Sequence, residues 1–370
     1  MGCNQPIGKK EGMKMKSLVE EALKFEDEKK EIDPGFGIPR IVVIGVGGAG
    51  GNTVNRLHKI GVKGAEIIAI NTDKQALDVV EADKKLIIGK NITRGLGAGG
   101  YPDIAKRAAE ESKDEIAQII GEPDLVFITA GMGGGTGTGA SPLIAKIAKR
   151  GGAIVVGMVS IPFKVERGRI VRAEQGLEEL RRECDSVIVL DNQKLLEFVP
   201  HLPIDKAFGV MDQLIAETVK GISETITQPS LINLDYADVK TIVSGGDVAA
   251  MFWGEGTIRD GPEALAHEAL HHPLLEVETA GARGCLIHIT GGQDMSLEFA
   301  EKIAEYMTNE IDPYANVILG ARVNSDYNGR CRVMAIMTGV TSPYILSPKT
   351  EEVRLARWDS GKRLGVDIIA

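Results

Sequence analysis

A glycine-rich segment near the middle of the chain, residues 131–139, limits the possible folds more than any other stretch. Six of its nine residues are glycine, and its two threonines offer hydroxyl groups. The apolar run 124–130 before it is typical of a strand, and residues 140–150 after it have the pattern of a helix with Pro142 in the first turn. This order directs unpaired backbone N–H groups and the positive end of a helix dipole at one point. Because ordering glycine costs conformational entropy, a simple turn would not need so many glycines, and we predict a site for nucleotide phosphates.

A second glycine-rich segment, residues 45–52, follows the apolar run 41–44 and precedes a predicted helix that starts at about Thr53. It contains the pattern Gly-x-Gly-x-x-Gly. The next apolar run, 67–70, leads into an Asn-Thr-Asp sequence that begins at Asn71, where a dinucleotide-binding fold places its ribose-binding acid. Taken alone, this part of the chain predicts an NAD-dependent Rossmann oxidoreductase.

A third glycine-rich segment, residues 93–100, stands before Pro102 and a charged helical pattern over residues 103–120. It supplies another helix start and another set of backbone donors. Three such loops suit one triphosphate better than a single dinucleotide fingerprint does. The chain has neither the P-loop pattern Gly-x-x-x-x-Gly-Lys-[Ser/Thr] nor the guanine motif Asn-Lys-x-Asp, which disfavours a conventional P-loop GTPase.

Composition narrows the class of protein further. With 370 residues and 43% hydrophobic content the chain is long enough for two domains, and its net charge of −9 disfavours nucleic acid as a partner. Its four cysteines form no Cys-x-x-Cys pair, no apolar run has the length of a membrane span, and the N-terminus lacks the apolar core of a secretory signal. We therefore expect a cytoplasmic protein that does not insert into the membrane.

One metal motif is present, but its context argues against a metal site. His267 and His271 complete the zinc-protease pattern His-Glu-x-x-His on a predicted helix. Pro273 ends that helix, and no third ligand can be identified. We predict no protein-bound metal at these histidines.

Two motifs carry a resemblance to a known family. Residues 133–139, Gly-Gly-Gly-Thr-Gly-Thr-Gly, resemble the tubulin signature loop of the FtsZ/tubulin family in its FtsZ form, and residues 233–238 resemble the family's synergy loop, Asn-x-Asp-x-x-Asp. The resemblance covers roughly residues 38–340. It implies an α/β fold: a Rossmann-like GTP-binding domain with a parallel sheet, a central helix, and a smaller α+β C-terminal domain. The implied divisions are an N-terminal extension (1–37), the GTP-binding domain (38–203), the central helix (204–227), the C-terminal domain (228–342) and a tail (343–370).

The resemblance also implies a function. Chains of this kind assemble head to tail into cytoskeletal filaments that act in cell division, and they hydrolyse GTP to GDP at the subunit interface, with Mg²⁺ as the accompanying ion. The implied partners are other copies of the chain and, through the tail, division adaptor or membrane-tether proteins, at the division site in the cytoplasm. A non-hydrolysing nucleotide-binding scaffold and the NAD-dependent oxidoreductase are the alternatives.

The resemblance assigns the base and the ribose to particular side chains. Phe208 and Asp212 match the base contacts on the central helix, and a carboxylate there can accept both N1–H and N2–H₂ of guanine, whereas adenine offers no equivalent pair of donors. Glu166 and Arg169 match the ribose contacts. Because this loop is one residue shorter than in the family, Arg167 is the alternative to Arg169.

The remaining assignments concern phosphates and catalysis. Asp235 and Asp238 are three residues apart, so a helix starting near Asp235 would place them on one face, where they position a water or hold a cation; the alternative is that Asp235 only caps the helix. Gly51 departs from the family, in which many members have asparagine. The implied nucleotide-binding residues are Gly47, Gly48, Ala49, Gly50, Gly51, Asn52, Asn71, Ala98, Gly99, Gly100, Gly133, Gly134, Gly135, Thr136, Gly137, Thr138 and Asn192, and the implied catalytic residues are Asn233, Asp235 and Asp238.

Overall fold

The first half of the chain forms a parallel sheet of six strands. The computed structural model describes residues 38–227, 232, 235–244, 248–271 and 277–341. The strand order is β3-β2-β1-β4-β5-β6, and every neighbouring pair is parallel. The strands are β1 (Ile41–Val46), β2 (Ala65–Asn71), β3 (Lys84–Ile87), β4 (Leu125–Gly131), β5 (Ile154–Ile161) and β6 (Ser186–Asp191).

Helices connect these strands and cover both faces of the sheet, as right-handed crossovers between parallel strands require. They are α1 (Gly47–Ile60), α2 (Lys74–Asp78), α3 (Lys90–Thr93), α4 (Pro102–Glu111), α5 (Lys113–Ile120), α6 (Thr136–Arg150), α7 (Arg167–Glu183), α8 (Gln193–Phe198) and α9 (Ile204–Thr227).

Three helices differ from the sequence prediction. The helix expected over 140–150 begins at Thr136, so Pro142 lies inside α6 and not in its first turn, because Gly137 and Gly139 let the start of the helix approach the backbone of neighbouring segments. The helix expected from about Thr53 begins at Gly47, because glycines at its start let the backbone of α1 lie directly against β4. The single helix expected over 103–120 is divided at Ser112. The Ser112 hydroxyl accepts a hydrogen bond from the Gly89 N–H at 3.0 Å, a tertiary contact that no local pattern reveals.

The parallel sheet is buried on both sides, which explains its continuous apolar strands. All six residues of β1 are buried. Val42 and Ile44 face one hydrophobic cluster, which includes Ile144 of α6, whereas Ile41 and Val43 face another. The central helix α9 packs in that second cluster.

The second half of the described chain forms a four-stranded mixed sheet with three α-helices. Its strand order is β7-β10-β8-β9, in which only the pair β8–β9 is parallel. With the first sheet, this confirms the predicted fold class. The elements are α10 (Tyr236–Val243), β7 (Ala249–Thr257), a 3₁₀ turn (Ile258–Asp260), α11 (Pro262–Leu270), β8 (Gly284–Gly291), α12 (Leu297–Thr308), β9 (Asn316–Val323), a second 3₁₀ turn (Ser325–Tyr327) and β10 (Arg330–Thr338).

Candidate functional site

The first two glycine segments interlock at the carboxyl end of the parallel sheet. Ile44 of β1 pairs with Ile128 of β4, so both strands end side by side and their loops emerge together. A Cβ atom on Gly47, whose φ is 74°, would lie 3.0 Å from the backbone N of Gly137. A Cβ atom on Gly50 would lie 2.2 Å from a β4 carbonyl oxygen. The starts of α1 and α6 therefore meet at a distance that side chains would prevent.

The third glycine segment, residues 93–100, packs onto the first, residues 131–139. A Cβ atom on Gly135 would lie 2.8 Å from the Ala98 Cβ and 3.2 Å from the backbone N of Gly100. Gly99 and Gly100 both have positive φ, 60° and 81°, which turns the chain into α4. The three loops thus form one concave surface, which we call the glycine cradle: residues 47–52, 98–100 and 133–138.

The cradle is suited to an anion. The first turns of α1 and α6 contain no acidic residue, so those helices direct backbone N–H groups and positive dipole ends at this point without a carboxylate to repel an anion. Gly48 has no atom within 4 Å of an added Cβ and is exposed with Ala49, which marks the open side of the cradle. Such a surface binds phosphates through the backbone.

Side chains at the cradle have distinct positions. The Thr136 hydroxyl lies 2.7 Å from the Thr72 hydroxyl, which joins the end of β2 to the start of α6. The Asn71 carboxamide oxygen accepts hydrogen bonds from the backbone N–H groups of Thr72 and Asp73 and so fixes this turn. Thr138 is buried, and its methyl group lies against α7 at Gly176, so only its backbone is available to a phosphate.

The structure distinguishes the two arginines that sequence left open. A Cβ atom on Gly133 would lie 3.1 Å from the Arg169 Cβ, and one on Gly134 would lie 3.6 Å from the Arg169 Nη2. Arg169 also forms an ion pair with Glu166, whose Oε1 accepts from the Phe163 N–H at 3.1 Å. Arg169 therefore lies against the first glycine segment, residues 131–139.

A cavity beside the cradle brings together the residues assigned to the base. Asn192, Phe208 and Asp212 line it with Ala49 and Asn52 of α1. The other lining residues are Thr53, Thr129, Ala130, Ser160, Met211 and Ile215.

Two contacts in this region escape sequence reasoning. The Phe163 ring meets the Phe208 ring edge to face, with centroids 5.8 Å apart. Thr53 Oγ1 donates a hydrogen bond of 2.6 Å to Asp212 Oδ1. Burial raises the pKa of Asp212, and the Thr53 hydrogen bond and the charge of Arg56 oppose that rise. No sequence spacing signals contacts between segments this far apart.

Asp235 and Asp238 form a reciprocal cap at the start of α10. Asp235 Oδ1 accepts from the Asp238 N–H at 2.8 Å, and Asp238 Oδ2 accepts from the Asp235 N–H at 3.1 Å. The capping arrangement considered from sequence is thus present. It leaves Asp235 Oδ2 and Asp238 Oδ1 outside the cap. Asn233 lies outside the described residues.

The acidic pair lies at the opposite end of the parallel sheet from the cradle. The Tyr236 hydroxyl donates to the Asp124 carbonyl at the amino end of β4, and the Ser186 hydroxyl at the amino end of β6 donates to the Val243 carbonyl. The seven residues of β4 span roughly 20 Å. Within one chain, the acidic pair cannot reach a phosphate in the cradle.

The described residues contain no group of three or more metal-ligating side chains. The His267 and His271 rings stack at 4.0 Å, one helical turn apart, and His271 Nδ1 lies 3.0 Å from the His267 carbonyl oxygen. The absence of zinc stays a prediction. In the same part of the chain, no helix is long and apolar enough to cross a bilayer.

Comparisons with known proteins agree with this geometry. The model of the GTPase domain of the Tubulin/FtsZ family matches residues 40–200, and that of the FtsZ family C-terminal domain matches residues 247–341. The chain is 57% identical over 345 residues to cell division protein FtsZ 2 of Haloferax volcanii, covering 91% of this chain and 86% of the relative. It is 53% identical over 341 residues to FtsZ 2 of Methanocaldococcus jannaschii, covering 91% and 90%.

Solved structures give the same result. An FtsZ dimer from M. jannaschii superposes with a TM-score of 0.77 at 42% identity, covering 88% of this chain and 92% of that one. A GTPγS-bound protofilament of CetZ2 from Haloferax volcanii superposes with a TM-score of 0.71 at 23% identity, which shows a shared fold.

Proposed function

The chain belongs to the Tubulin/FtsZ family, and from that premise we propose how its two separated groups of residues form one active site. It is an FtsZ-type cell-division GTPase that binds GTP and GDP and self-associates, and filament formation is characteristic of its family. An NAD-dependent oxidoreductase is not supported. The residue roles that follow are our proposal.

We assign nucleotide binding to the glycine cradle and the adjoining cavity. Backbone N–H groups at the starts of α1, α4 and α6 bind the triphosphate. Asp212 accepts guanine's N1–H and N2–H₂, Phe208 packs against the base, and Asn192 lies beside it. Glu166 and Arg169 bind the ribose side of the nucleotide. Two observations support this assignment: Asn192, Phe208 and Asp212 line one cavity with Ala49 and Asn52 of the cradle, and Arg169, which pairs with Glu166, lies against Gly133 and Gly134.

Catalysis takes place between two subunits. The observation that carries this proposal is the separation of Asp235 and Asp238 from the cradle by the full length of the parallel sheet. In a head-to-tail contact, the amino end of one sheet meets the carboxyl end of the next. Asp235 Oδ2 and Asp238 Oδ1, which the cap leaves available, then position the water that attacks the γ-phosphate. Because such a contact is heterologous and does not close, it generates a filament. Asn233 belongs to the same loop.

Mg²⁺ is the proposed accompanying ion. The hydroxyl oxygens of Thr72, at the end of β2, and Thr136, at the start of α6, are hard donors of the kind that Mg²⁺ accepts together with phosphates and water. The ion would offset the negative charge of the phosphates. The cradle residues themselves bind and orient the phosphates.

The tail is the proposed docking segment for adaptor or membrane-tether proteins at the division site in the cytoplasm. Residues 366–369, Val-Asp-Ile-Ile, give it an apolar end. A chain ending at residue 342 should assemble with GTP and lose adaptor binding in a pull-down. Retained binding would place the adaptor site elsewhere.

Complementation tests the shared site. Asp238→Ala has an intact cradle but lacks the acidic partner, and Thr136→Arg has a blocked cradle but an intact acidic pair. Each should be inactive alone, and the mixture should regain GTP hydrolysis at mixed interfaces. Co-assembly of the two variants without hydrolysis would refute the shared site.

A further inference from the structure

Thr53 joins the helix that begins in the glycine cradle to the helix that carries Asp212. It is buried, and its hydroxyl donates to Asp212 Oδ1 across 159 residues of sequence. The distance of 2.6 Å falls in the range for a hydroxyl bonded to an ionised carboxylate. The Ala49 carbonyl oxygen, at 3.2 Å, is a second acceptor, but a hydroxyl has one proton to give and the shorter contact takes it.

We propose that Thr53 is a positioning residue for base recognition: its hydrogen bond holds the Asp212 carboxylate in one orientation toward guanine. This inference rests on the proposed role of Asp212. A carboxylate has about four acceptor sites, so the bond to Thr53 leaves one on Oδ1 and those of Oδ2 for the two guanine donors. Without Thr53, the carboxylate is free to rotate in a cavity whose other walls do not fix it.

The surroundings of Asp212 make this hydrogen bond consequential. Burial raises the pKa of Asp212, whereas the Thr53 hydrogen bond and the charge of Arg56, one turn further along α1, lower it. The remaining polar residues that line the cavity, Asn52, Thr129, Ser160 and Asn192, carry no charge. A protonated Asp212 would present a donor to the guanine donors, so loss of Thr53 removes affinity by raising the fraction of that form.

The position of Thr53 on α1 has a second consequence. The first turn of α1 belongs to the cradle, and Thr53 lies on the following turn of the same helix. Phosphate binding and base recognition therefore depend on one rigid element. A nucleotide with the same phosphates and a different base can occupy the cradle, but the fixed Asp212 carboxylate then faces a base that lacks guanine's pair of donors.

Two substitutions separate the hydroxyl from the shape of residue 53. Thr53→Val keeps the branched side chain and removes the donor, whereas Thr53→Ser keeps the donor. We expect Thr53→Val to weaken GTP binding about three- to tenfold and to weaken binding of inosine triphosphate, which lacks the 2-amino group, by less. The loss of GTP affinity should grow as the pH is lowered, because Asp212 without the Thr53 hydrogen bond protonates at a higher pH than in the unmodified chain. Thr53→Ser should restore most of the affinity.

Combining Thr53→Val with Asp212→Ala decides what kind of role Thr53 has. In the Asp212→Ala background, Thr53→Val should cause no further loss of GTP affinity. If Thr53→Val lowers GTP affinity as much in that background as in the unmodified chain, Thr53 contributes only through packing. If Asp212→Ala leaves the preference for GTP over inosine triphosphate intact, the role of Asp212 itself is wrong. If Asp212→Ala removes that preference but Thr53→Val changes neither GTP affinity nor its pH profile, only the positioning role fails. Thr53→Ala lacks the same donor and replaces Thr53→Val in every comparison if the valine variant does not fold by circular dichroism.

Discussion

At the carboxyl end of the parallel sheet, the proposed ligand-binding groups are backbone N–H groups at the starts of helices, and the first turns of α1 and α6 carry no acidic residue. At the amino end, they are carboxylate oxygens of Asp235, which is exposed, and Asp238, which is partly buried, held by a reciprocal cap. The first end can bind a triphosphate but offers no carboxylate to position a water. The second can position a water but has no phosphate site. Under the proposed assignment, the fold separates nucleotide binding from the positioning of water, and assembly brings the two together.

The largest expected effect comes from the amino end. Asp238→Ala should lower GTP turnover by roughly 10² to 10⁴, because it removes a group that positions the attacking water, while GTP binding and assembly persist. Turnover and pelleting measured on the same sample check this. Asp260→Ala is the matched control, since Asp260 caps a 3₁₀ turn in the same way and lies in no proposed site. A similar fall in both variants would point to lost capping alone.

A pair of glycine substitutions tests whether the cradle binds through its open side. Gly50→Ala places a methyl group 2.2 Å from a β4 carbonyl oxygen and should destabilise the protein by about 1–3 kcal/mol or more. The methyl group of Gly48→Ala has no atom within 4 Å, so the melting temperature should not change. GTP affinity should fall, because the methyl group occupies the open side of the cradle. Thermal unfolding and GTP titration separate the two effects. Unchanged GTP affinity in Gly48→Ala would move the phosphates away from this side.

A smaller effect concerns the base. Asp212→Ala should cost on the order of 1.5–3 kcal/mol of GTP binding, or roughly tenfold to a hundredfold in affinity, because it removes charge-assisted hydrogen bonds to guanine. ATP binding should change less, so the GTP:ATP affinity ratio narrows. A ratio equal to that of the unmodified chain would contradict the assignment.

The smallest effect is expected at the paired histidines. Purified protein should contain no stoichiometric zinc, and His267→Ala should leave GTP turnover unchanged, because His267 and His271 lie apart from any third ligand in the part of the chain that the structure describes. Elemental analysis tests this. One zinc per chain, lost in His267→Ala, would overturn it.

The sequence predicted the features that depend on local patterns and missed those that depend on contacts between distant segments. The three glycine segments and their order with strands and helices are local patterns, so a phosphate site could be inferred from them, and the family resemblance implied the fold class. Whether Arg167 or Arg169 lies near Gly133 depends on how α7 is rotated about its axis. Because the loop before α7 is one residue shorter than in the family, the sequence does not determine that rotation. Thr53 and Phe163 could not be found, because their roles depend on contacts with α9, which is distant in sequence. The proposed domain boundaries and residue roles stay predictions.

The most direct test of the shared site is GTP turnover per subunit measured against protein concentration, with light scattering recorded in the same cuvette. If the cradle of one chain needs the acidic pair of another, turnover per subunit should stay near zero below a threshold concentration and rise together with scattering above it. Constant turnover per subunit down to concentrations at which no polymer scatters light would contradict the account.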